Sequence, residues 1–187
     1  MSKRRRTDGL TGGTGDIKPQ YLTATTGTAA INTYGTIAIT LPVPRFGAQK
    51  NKSTITELLS VDWYIGIGDL GDNNNTAFAW LSTKENRADG VTSDETTLAV
   101  DLNDPTNFAF AIKQMSLLTS GLGSTLFPIH IDLTDGNGNG FLIATDRLQI
   151  TMGNISGTAT SQSIAKIKYR LVNVGLPEYI GIIQSQQ

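Results

Sequence analysis

The segment IAKIKYRLV, residues 164–172, alternates apolar and basic side chains over most of its length. A period of two places successive side chains on opposite faces of a β-strand, so one face can be buried while the other meets solvent. The segment therefore predicts a half-buried strand. Its predicted buried face carries Ile167, Tyr169 and Leu171, and its predicted outward face carries Lys166, Lys168 and Arg170.

The same alternation recurs along the chain, most clearly in TIAITL (36–41), VDWYIGI (61–67) and DRLQITM (146–152). The residues predicted to point inward are Ile37, Ile39 and Leu41, then Val61, Trp63, Ile65 and Ile67, then Leu148, Ile150 and Met152. In the third segment Arg147, Gln149 and Thr151 are predicted to point outward. Further candidate strands are FAWL, FAFAI, PIHIDL, FLIA and, near the end of the chain, EYIGIIQ (178–184).

Roughly eight strands separated by Gly-, Asn- and Asp-rich segments predict an all-β fold of two packed antiparallel sheets. No long segment has helical periodicity, although STITELLS (53–60) and IKQMSLLTS (112–120) could each hold a short helix. Eight strands with long connections favour a jelly roll over a seven-stranded immunoglobulin sandwich.

Composition excludes several classes of protein. The 187 residues are 39% hydrophobic and include no cysteine, which excludes disulfides, thiolate metal sites and a cysteine nucleophile. No stretch reaches the roughly 20 apolar residues of a membrane span, and the N-terminus lacks the apolar segment of a signal peptide. We therefore expect a single globular domain with no membrane association.

Charge is distributed unevenly between the N-terminus and the rest of the chain. Lys3, Arg4, Arg5 and Arg6 are four of the 15 basic residues, so residues 7–187 hold 11 bases against 16 acids, a net charge of −5. The following TDGLTGGTGD contains four glycines and almost no apolar side chain, which predicts a flexible tether. Residues 1–20 are thus predicted to form a disordered basic arm, and residues 21–187 the folded domain.

The sequence offers little for catalysis. His130 is the only histidine and lies on a predicted strand, with Ile129 and Ile131 expected on the opposite face. GIGDLG (66–71) matches a dinucleotide-binding glycine pattern, but DNNNTAFAW follows it instead of a helix start, so a loop between strands is the better interpretation. General acid and base groups are not clustered, which argues against an enzyme.

The segment DGNGNGFLIATD (135–146) has the oxygen spacing of a calcium-binding loop. Asp135, Asn137, Asn139 and Asp146 occupy positions 1, 3, 5 and 12, with Gly140 at position 6. Predicted strands flank the segment where an EF-hand has helices, and repeated Asn-Gly is typical of a hairpin turn. A turn without metal is therefore the main interpretation, with structural calcium, internal or between subunits, as the alternative.

Lys166, Lys168 and Arg170 form a row of positive charges spaced roughly 7 Å apart along one strand face. That spacing is close to one nucleotide step. Such a row is commonly the solvated face of a strand, and a phosphate-lining role is the alternative. Four adjacent bases on a tether likewise suit nucleic-acid phosphates, a nuclear address or a solvated tail.

The combination of MSKRRR, a Gly-rich spacer, one β-sandwich and the tail KYRLVNVGLPEYIGIIQSQQ (168–187) resembles the single-jelly-roll coat proteins of small icosahedral viruses. It is most similar to those of small circular Rep-encoding single-stranded DNA viruses. The resemblance implies a virion protein without enzymatic activity that associates with itself, in a minimal T=1 shell of about 60 copies. It also implies that residues 3–6 contact the packaged genome, expected to be single-stranded DNA, and address the protein to the host nucleus.

The arm is shorter and less Arg-rich than is usual in that family. About 60 arms supply roughly 240 positive charges against thousands of genome phosphates, so we expect weak, sequence-independent packaging and empty particles. The competing class is a carbohydrate- or calcium-binding β-sandwich module, such as a lectin-like or fibre-head domain. In that class residues 135–146 would be the site and the basic arm would be incidental.

Overall fold

The computed structural model describes residues 18–29, 33–41, 52–67, 75–84, 104–118, 121–123, 128–155 and 160–186. The basic run at residues 3–6 and most of GIGDLG lie outside these ranges. Within them the chain forms ten strands and one helix. The strands are β1 Gln20–Thr25, β2 Tyr34–Thr40, β3 Lys52–Ile67, β4 Asn75–Ser82, β5 Asn107–Leu118, β6 Gly121–Gly123, β7 Ile129–Asp132, β8 Phe141–Ile143, β9 Arg147–Ile155 and β10 Ser161–Gly175, and the helix is α1 Leu176–Ser185.

The strands form two antiparallel sheets. Sheet 1 has the order β1-β10-β3-β7, with β8 also paired to β3, and sheet 2 has the order β2-β9-β4-β5-β6. The pairing is nested along the chain: β1 pairs with β10, β2 with β9, β3 with β7 and β8, and β4 with β5. This folded-over antiparallel pairing is a jelly roll, so the predicted fold is confirmed. The ten strands fill nine positions, because β7 and β8 share the position beside β3, and the three-residue β6 is the edge strand next to β5.

The inner faces of the two sheets form the core, and the alternation read from the sequence describes them well. Strand β10 is buried at every second residue from Ser161 to Tyr169. The inward residues predicted in VDWYIGI and DRLQITM are buried or pack against the core. Ile37 is the exception at 37% exposure, because β2 is an edge strand of sheet 2.

One hydrogen bond links the two sheets through the centre of this core. The indole Nε1–H of Trp63 on β3 donates to the carbonyl oxygen of Ala109 on β5 at 2.9 Å. Ala109 lies where the pairing of β4 with β5 shifts register, and its φ of 54° is in the left-handed region. An extra residue in one strand of an antiparallel pair interrupts the ladder, so the irregularity accounts for a carbonyl that turns towards the other sheet.

The inner face of sheet 2 contributes several small side chains to the core. Ala77, Ala79 and Ala111 on β4 and β5 belong to the same buried cluster as Trp63, which is fully buried. Sheet 2 thus contributes three methyl side chains to the cluster in which sheet 1 contributes its largest side chain. The two sheets are therefore complementary in size as well as in hydrogen bonding.

The final strand predicted at residues 178–184 is wrong, because these residues belong to α1. Gly175 is extended (φ −70°, ψ 155°), Pro177 follows within the first turn and Glu178 adds an acid there. These features favour a helix start, since proline presets φ and a carboxylate suits the N-terminal end of the helix dipole. Gln186, just beyond α1, ties it to β8: its side-chain amide donates to the Leu142 carbonyl and accepts from the Ala144 N–H.

The two short helices suggested at residues 53–60 and 112–120 are also wrong, since β3 contains the first and β5 covers the second as far as Leu118. The spacing of Ile55, Leu58 and Leu59 imitates a helix because β3 has a register shift against β10. Ser60 pairs with Lys168 while Leu58 pairs with Tyr169, which leaves Leu59 as an extra residue. A β-bulge therefore produced the apparent helical period.

The outward face of β9 is not solvated, which corrects the prediction for Gln149 and Thr151. Both are buried, at 8% and 0% exposure. The same face of sheet 2 carries a second apolar cluster of Tyr34, Phe78 and Trp80, with Phe110 packed against it. Phe78 and Trp80 stack at a centroid distance of 5.7 Å. The outward face of sheet 2 thus combines a buried aromatic cluster with polar side chains. No helix in the described ranges has the length and apolarity to cross a bilayer.

We predict that Trp63→Phe lowers the free energy of unfolding more than Trp80→Phe, by about 1–2 kcal/mol. Both indoles are buried and both substitutions remove the same volume, but only Trp63 donates a hydrogen bond; the Trp80 N–H has no partner among the residues that the structure describes. Urea denaturation at one fixed protein concentration measures the difference. Equal losses would show that the bond between the sheets contributes nothing.

Candidate nucleic-acid interface

The candidate site lies on the outward face of sheet 1, where side chains from four strands form rows. We call this surface the outer face. One row is Tyr21, Lys168, Ser60 and Asp132; the next is Thr23, Lys166, Asp62 and His130; the third is Thr25, Ile164 and Tyr64. The outward orientation predicted for Lys166, Lys168 and Arg170 is confirmed by the burial of the residues that alternate with them.

Arg170 differs from the two lysines because it is ion-paired with a buried carboxylate. Its Nε and Nη2 contact the two oxygens of Glu57, which is 3% exposed, and Nη2 lies 3.0 Å from Oε1. Hydrogen bonding to Glu57 raises the pKa of Arg170. The guanidinium also donates to the Gly138 carbonyl at 2.9 Å, and Glu57 accepts the Gly140 N–H. Arg170 therefore holds the 135–140 loop to sheet 1, and its charge is balanced within the fold.

Lys166 and Lys168 keep their outward positions, but with acidic neighbours on one side. Lys166 lies opposite Asp62 on β3, and its Nζ lies 5.0 Å from the centroid of the Tyr21 ring on β1. Lys168 shares a row with Asp132. Hydrogen bonds from the Thr134 backbone and hydroxyl lower the pKa of Asp132 below its ordinary value of 3.8, so that carboxylate is charged at neutral pH.

His130 is exposed on β7, and its Nδ1 lies 2.6 Å from an oxygen of Asp62. Ile129 and Ile131 face the core side, as predicted. Among the described residues, no group of three or more His, Cys, Asp or Glu side chains comes together as a metal site. The His130 and Asp62 pair is therefore an isolated pair of side chains on the outer face.

The 135–140 loop is closed by its own hydrogen bonds. One Asp135 oxygen accepts the Asn137 and Asn139 backbone N–H groups, the other accepts the Asn139 side-chain amide, and the Asp135 N–H donates to the Asn139 carbonyl. Gly136 and Gly138 have φ values of 79° and 88°, which their lack of a Cβ permits. These contacts satisfy both carboxylate oxygens without a bound ion.

Asp146 lies at the far end of β8 from this loop. Its carbonyl oxygen accepts the Leu41 N–H at the end of β2, on the other sheet, and its side chain is exposed. Asp135 and Asn139 lie close together, whereas β8 separates Asp146 from them. Calcium binding by Asp135, Asn137, Asn139 and Asp146 stays a prediction, and the loop's first three ligand candidates already form one hydrogen-bonded unit.

Two residues of the outer face were not identified from the sequence. Glu57 was hidden in a segment interpreted as a short helix, and strict alternation through TELLSVDW would have placed it inward, because the extra residue Leu59 reverses the parity. From the sequence, Tyr21 has no predicted role beyond the start of the folded domain. In the structure it is 58% exposed on the outer face. The signal for Tyr21 was its position on the first strand, directly after the basic arm.

Comparisons with known proteins agree on the fold. No family model and no curated protein matches the chain. The structure is similar to VP1 of trichodysplasia spinulosa-associated polyomavirus in complex with GM1 oligosaccharide, at 12% identity and a TM-score of 0.52, over 87% of this chain and 97% of that one. The unassembled VP1 pentamer of Merkel cell polyomavirus gives 8% identity and 0.52, over 87% and 98%. The human polyomavirus 7 VP1 pentamer gives 9% and 0.52, over 83% and 95%. The chain therefore has the jelly-roll fold found in viral capsid proteins.

We predict that Arg170→Ala destabilises the domain by about 2–3 kcal/mol, because it leaves the buried Glu57 carboxylate without its counter-charge. Lys168→Ala removes a charge from the same strand and should change the stability by less than about 0.5 kcal/mol. Urea denaturation of the two variants gives the comparison. Equal effects would mean that the Arg170 and Glu57 pair is only a surface contact.

We also predict a pH dependence of the 135–140 loop. The Asn139 side chain and the backbone N–H groups of Asn137 and Asn139 lower the pKa of Asp135 below 3.8. The stabilisation from this lowered pKa is present above pH 3.8 and is lost as the pH falls through the folded-state value. An NMR titration of the Asp135 carboxyl carbon measures that value, which Asn139→Ala should raise. A midpoint unchanged by Asn139→Ala would contradict this origin.

Proposed function

We propose that the protein is a viral coat protein whose jelly-roll domain associates with copies of itself into a closed shell around nucleic acid. The observation that carries the proposal is the extent of the structural match. It covers most of this chain and nearly all of the capsid proteins compared, so it concerns the whole domain and not a shared sub-motif. Identities of about a tenth support the fold, and the function is our inference from it.

Self-association is supported by the surface of α1. Five of its ten residues are large and apolar, and none is buried in the described chain. Leu176 and Ile180, one turn apart, are 39% and 47% exposed. Exposed large apolar side chains grouped on one element usually mark an interaction surface. Two of the similar structures are described as pentamers, which agrees with a fold that associates with itself.

The finer assignment concerns the kind of virus. We propose that the protein comes from a small circular Rep-encoding single-stranded DNA virus. About 60 copies would form a T=1 shell, each contributing one jelly-roll domain to a symmetric surface. The support is the resemblance in layout: a short basic arm on a single jelly roll. Residues 3–6 then contact the packaged genome and serve as a nuclear import signal. The protein acts in the virion, after assembly in the host nucleus.

A structural role also fits the distribution of ionisable groups. The net charge of −5 on residues 7–187 repels a polyanion, so most of the attraction to nucleic acid comes from the arm. On the outer face, Arg170 is neutralised by Glu57, and Lys166 and Lys168 face two aspartates. Packaging is therefore weak and independent of base sequence, and the sandwich contacts hold the shell together.

We predict that the purified chain forms particles. About 60 copies of a 20.0 kDa chain give roughly 1.2 MDa by light scattering after size exclusion, and negative-stain microscopy should show uniform shells.

A variant lacking residues 1–10 should assemble equally well and contain less nucleic acid. Loss of assembly in that variant would contradict the division between arm and sandwich. A monodisperse monomer at high concentration, across salt and pH, would exclude the coat-protein proposal and favour the binding-module alternative.

The helix gives a sharper test of the same proposal. Ile180→Glu places a charge on the exposed apolar surface of α1 and should reduce particle yield at least tenfold, since burying an unpaired carboxylate in a contact is costly. Gln184→Glu adds the same charge at an exposed polar position of the same helix and should assemble almost normally. Equal yields from the two variants would show that α1 faces solvent in the particle.

A further inference from the structure

We propose that the half of the outer face formed by β1 and β10 binds single-stranded nucleic acid, with Tyr21 as a platform on which an unpaired base stacks. Lys166 and Lys168 supply the adjacent phosphate contacts. This inference rests on the proposed function and adds to it a residue and a mode of contact.

The first observation is the setting of Tyr21. Its side chain is 58% exposed on a strand whose inward neighbour Leu22 packs against the core. The Lys166 Nζ lies over its ring at 5.0 Å from the centroid, and Lys168 is its direct partner across the strand pair. An aromatic ring beside two cations is the combination that single-strand binding proteins use, because every base has a π face and every nucleotide a phosphate.

The second observation is the division of charge across the outer face. Lys166 and Lys168 lie on β10, whereas Asp62 and Asp132 lie on β3 and β7. Arg170 is neutralised by Glu57 and contributes no free charge. A polyanion is therefore attracted to the side of β1 and β10 and repelled from the side of β3 and β7. This restricts its path to the strip that contains Tyr21.

The third observation is where the arm joins the fold. The chain enters sheet 1 at Gln20, opposite Tyr169 on β10, and the exposed Lys18 precedes it. Arg6 lies 14 positions before Gln20, a distance of at most about 50 Å when fully extended. A tether of that length lets the four arm cations reach the Tyr21 strip. A single strand held by the arm can reach Tyr21 without crossing the acidic half.

Spacing favours a single strand over a duplex. Alternate residues of β10 repeat roughly every 7 Å, so Lys166 and Lys168 match successive phosphates of an extended strand. Stacking on Tyr21 needs a base that is not paired, and it adds affinity that charge alone does not supply. The strip therefore compensates in part for the small number of arm charges.

The test measures anisotropy of fluorescein-labelled oligo(dT) of about 20 nucleotides with dilute, unassembled full-length chains over a series of salt concentrations. Tyr21→Thr retains strand propensity without the ring and should weaken binding about tenfold with the salt slope unchanged. Tyr21→Phe should bind like the unaltered chain.

Lys166→Ala should reduce the salt slope by about 0.7, the value for one phosphate contact on a single strand. Oligo(rU) distinguishes RNA from DNA, and a duplex of equal length should bind without sensitivity to Tyr21.

The matched control is Tyr64→Thr, which removes a 42% exposed ring from the same face but beside Asp62 on β3. Equal losses for Tyr21→Thr and Tyr64→Thr, or none for Tyr21→Thr, would overturn the inference. A Tyr21→Thr variant that binds oligo(dT) normally but forms altered particles would show that the strip contacts another copy of the chain. That result overturns the inference and leaves the coat-protein proposal standing. Failure of the unaltered chain to form particles would instead remove the proposal on which the inference rests.

Discussion

The hydrogen bond from Trp63 to the Ala109 carbonyl fixes how the two sheets face each other. It requires that β5 turn one carbonyl out of its ladder, which it does at a register shift with Ala109 at φ 54°. Beyond that shift, Phe110 packs on the outer side of sheet 2 and Lys113 reaches sheet 1, where its Nζ donates to the Ile65 carbonyl at 2.8 Å. Burial lowers the pKa of Lys113. Strand β5 therefore supplies two polar links between the sheets, one of them at its irregularity.

The position of such register shifts also explains which strands could be predicted from the sequence. Strict alternation in β9 and β10 gave the correct inward residues, because their inward positions keep one parity throughout the core. In β3 the register shift breaks that parity, and apolar residues three and four apart then imitate a helix. At residues 178–184 isoleucines favour a strand, but Pro177 and Glu178 start a helix. Local pattern fails where one residue changes the geometry of several others.

The surfaces of the two sheets show a second limit of sequence reasoning. In FAWL both sets of alternate residues are apolar, so hydrophobicity cannot say that Ala77 and Ala79 face the core while Phe78 and Trp80 face away from it. Similarly, three cations at even spacing on β10 look equivalent in sequence. The buried carboxylate of Glu57 makes the roles of these cations unequal. It lies opposite Arg170 in the strand pairing and forms an ion pair with that side chain. Pairing across strands, which no single segment contains, decides the role of each charge.

The contrast between the sheets bears on how such a domain could serve a shell. The outward side of sheet 2 carries the buried aromatic cluster of Tyr34, Phe78 and Trp80, which offers no surface for a hydrated polyanion. Sheet 1 has a polar outward side that is divided into a basic strip and an acidic strip, and the basic strip lies next to the point where the arm enters. Under the proposed function, the folded domain would attract nucleic acid at one edge of one sheet, next to the arm. In a shell of the proposed kind, a weak, directional contact would let many copies share one strand while the contacts between jelly-roll domains set the geometry of the particle.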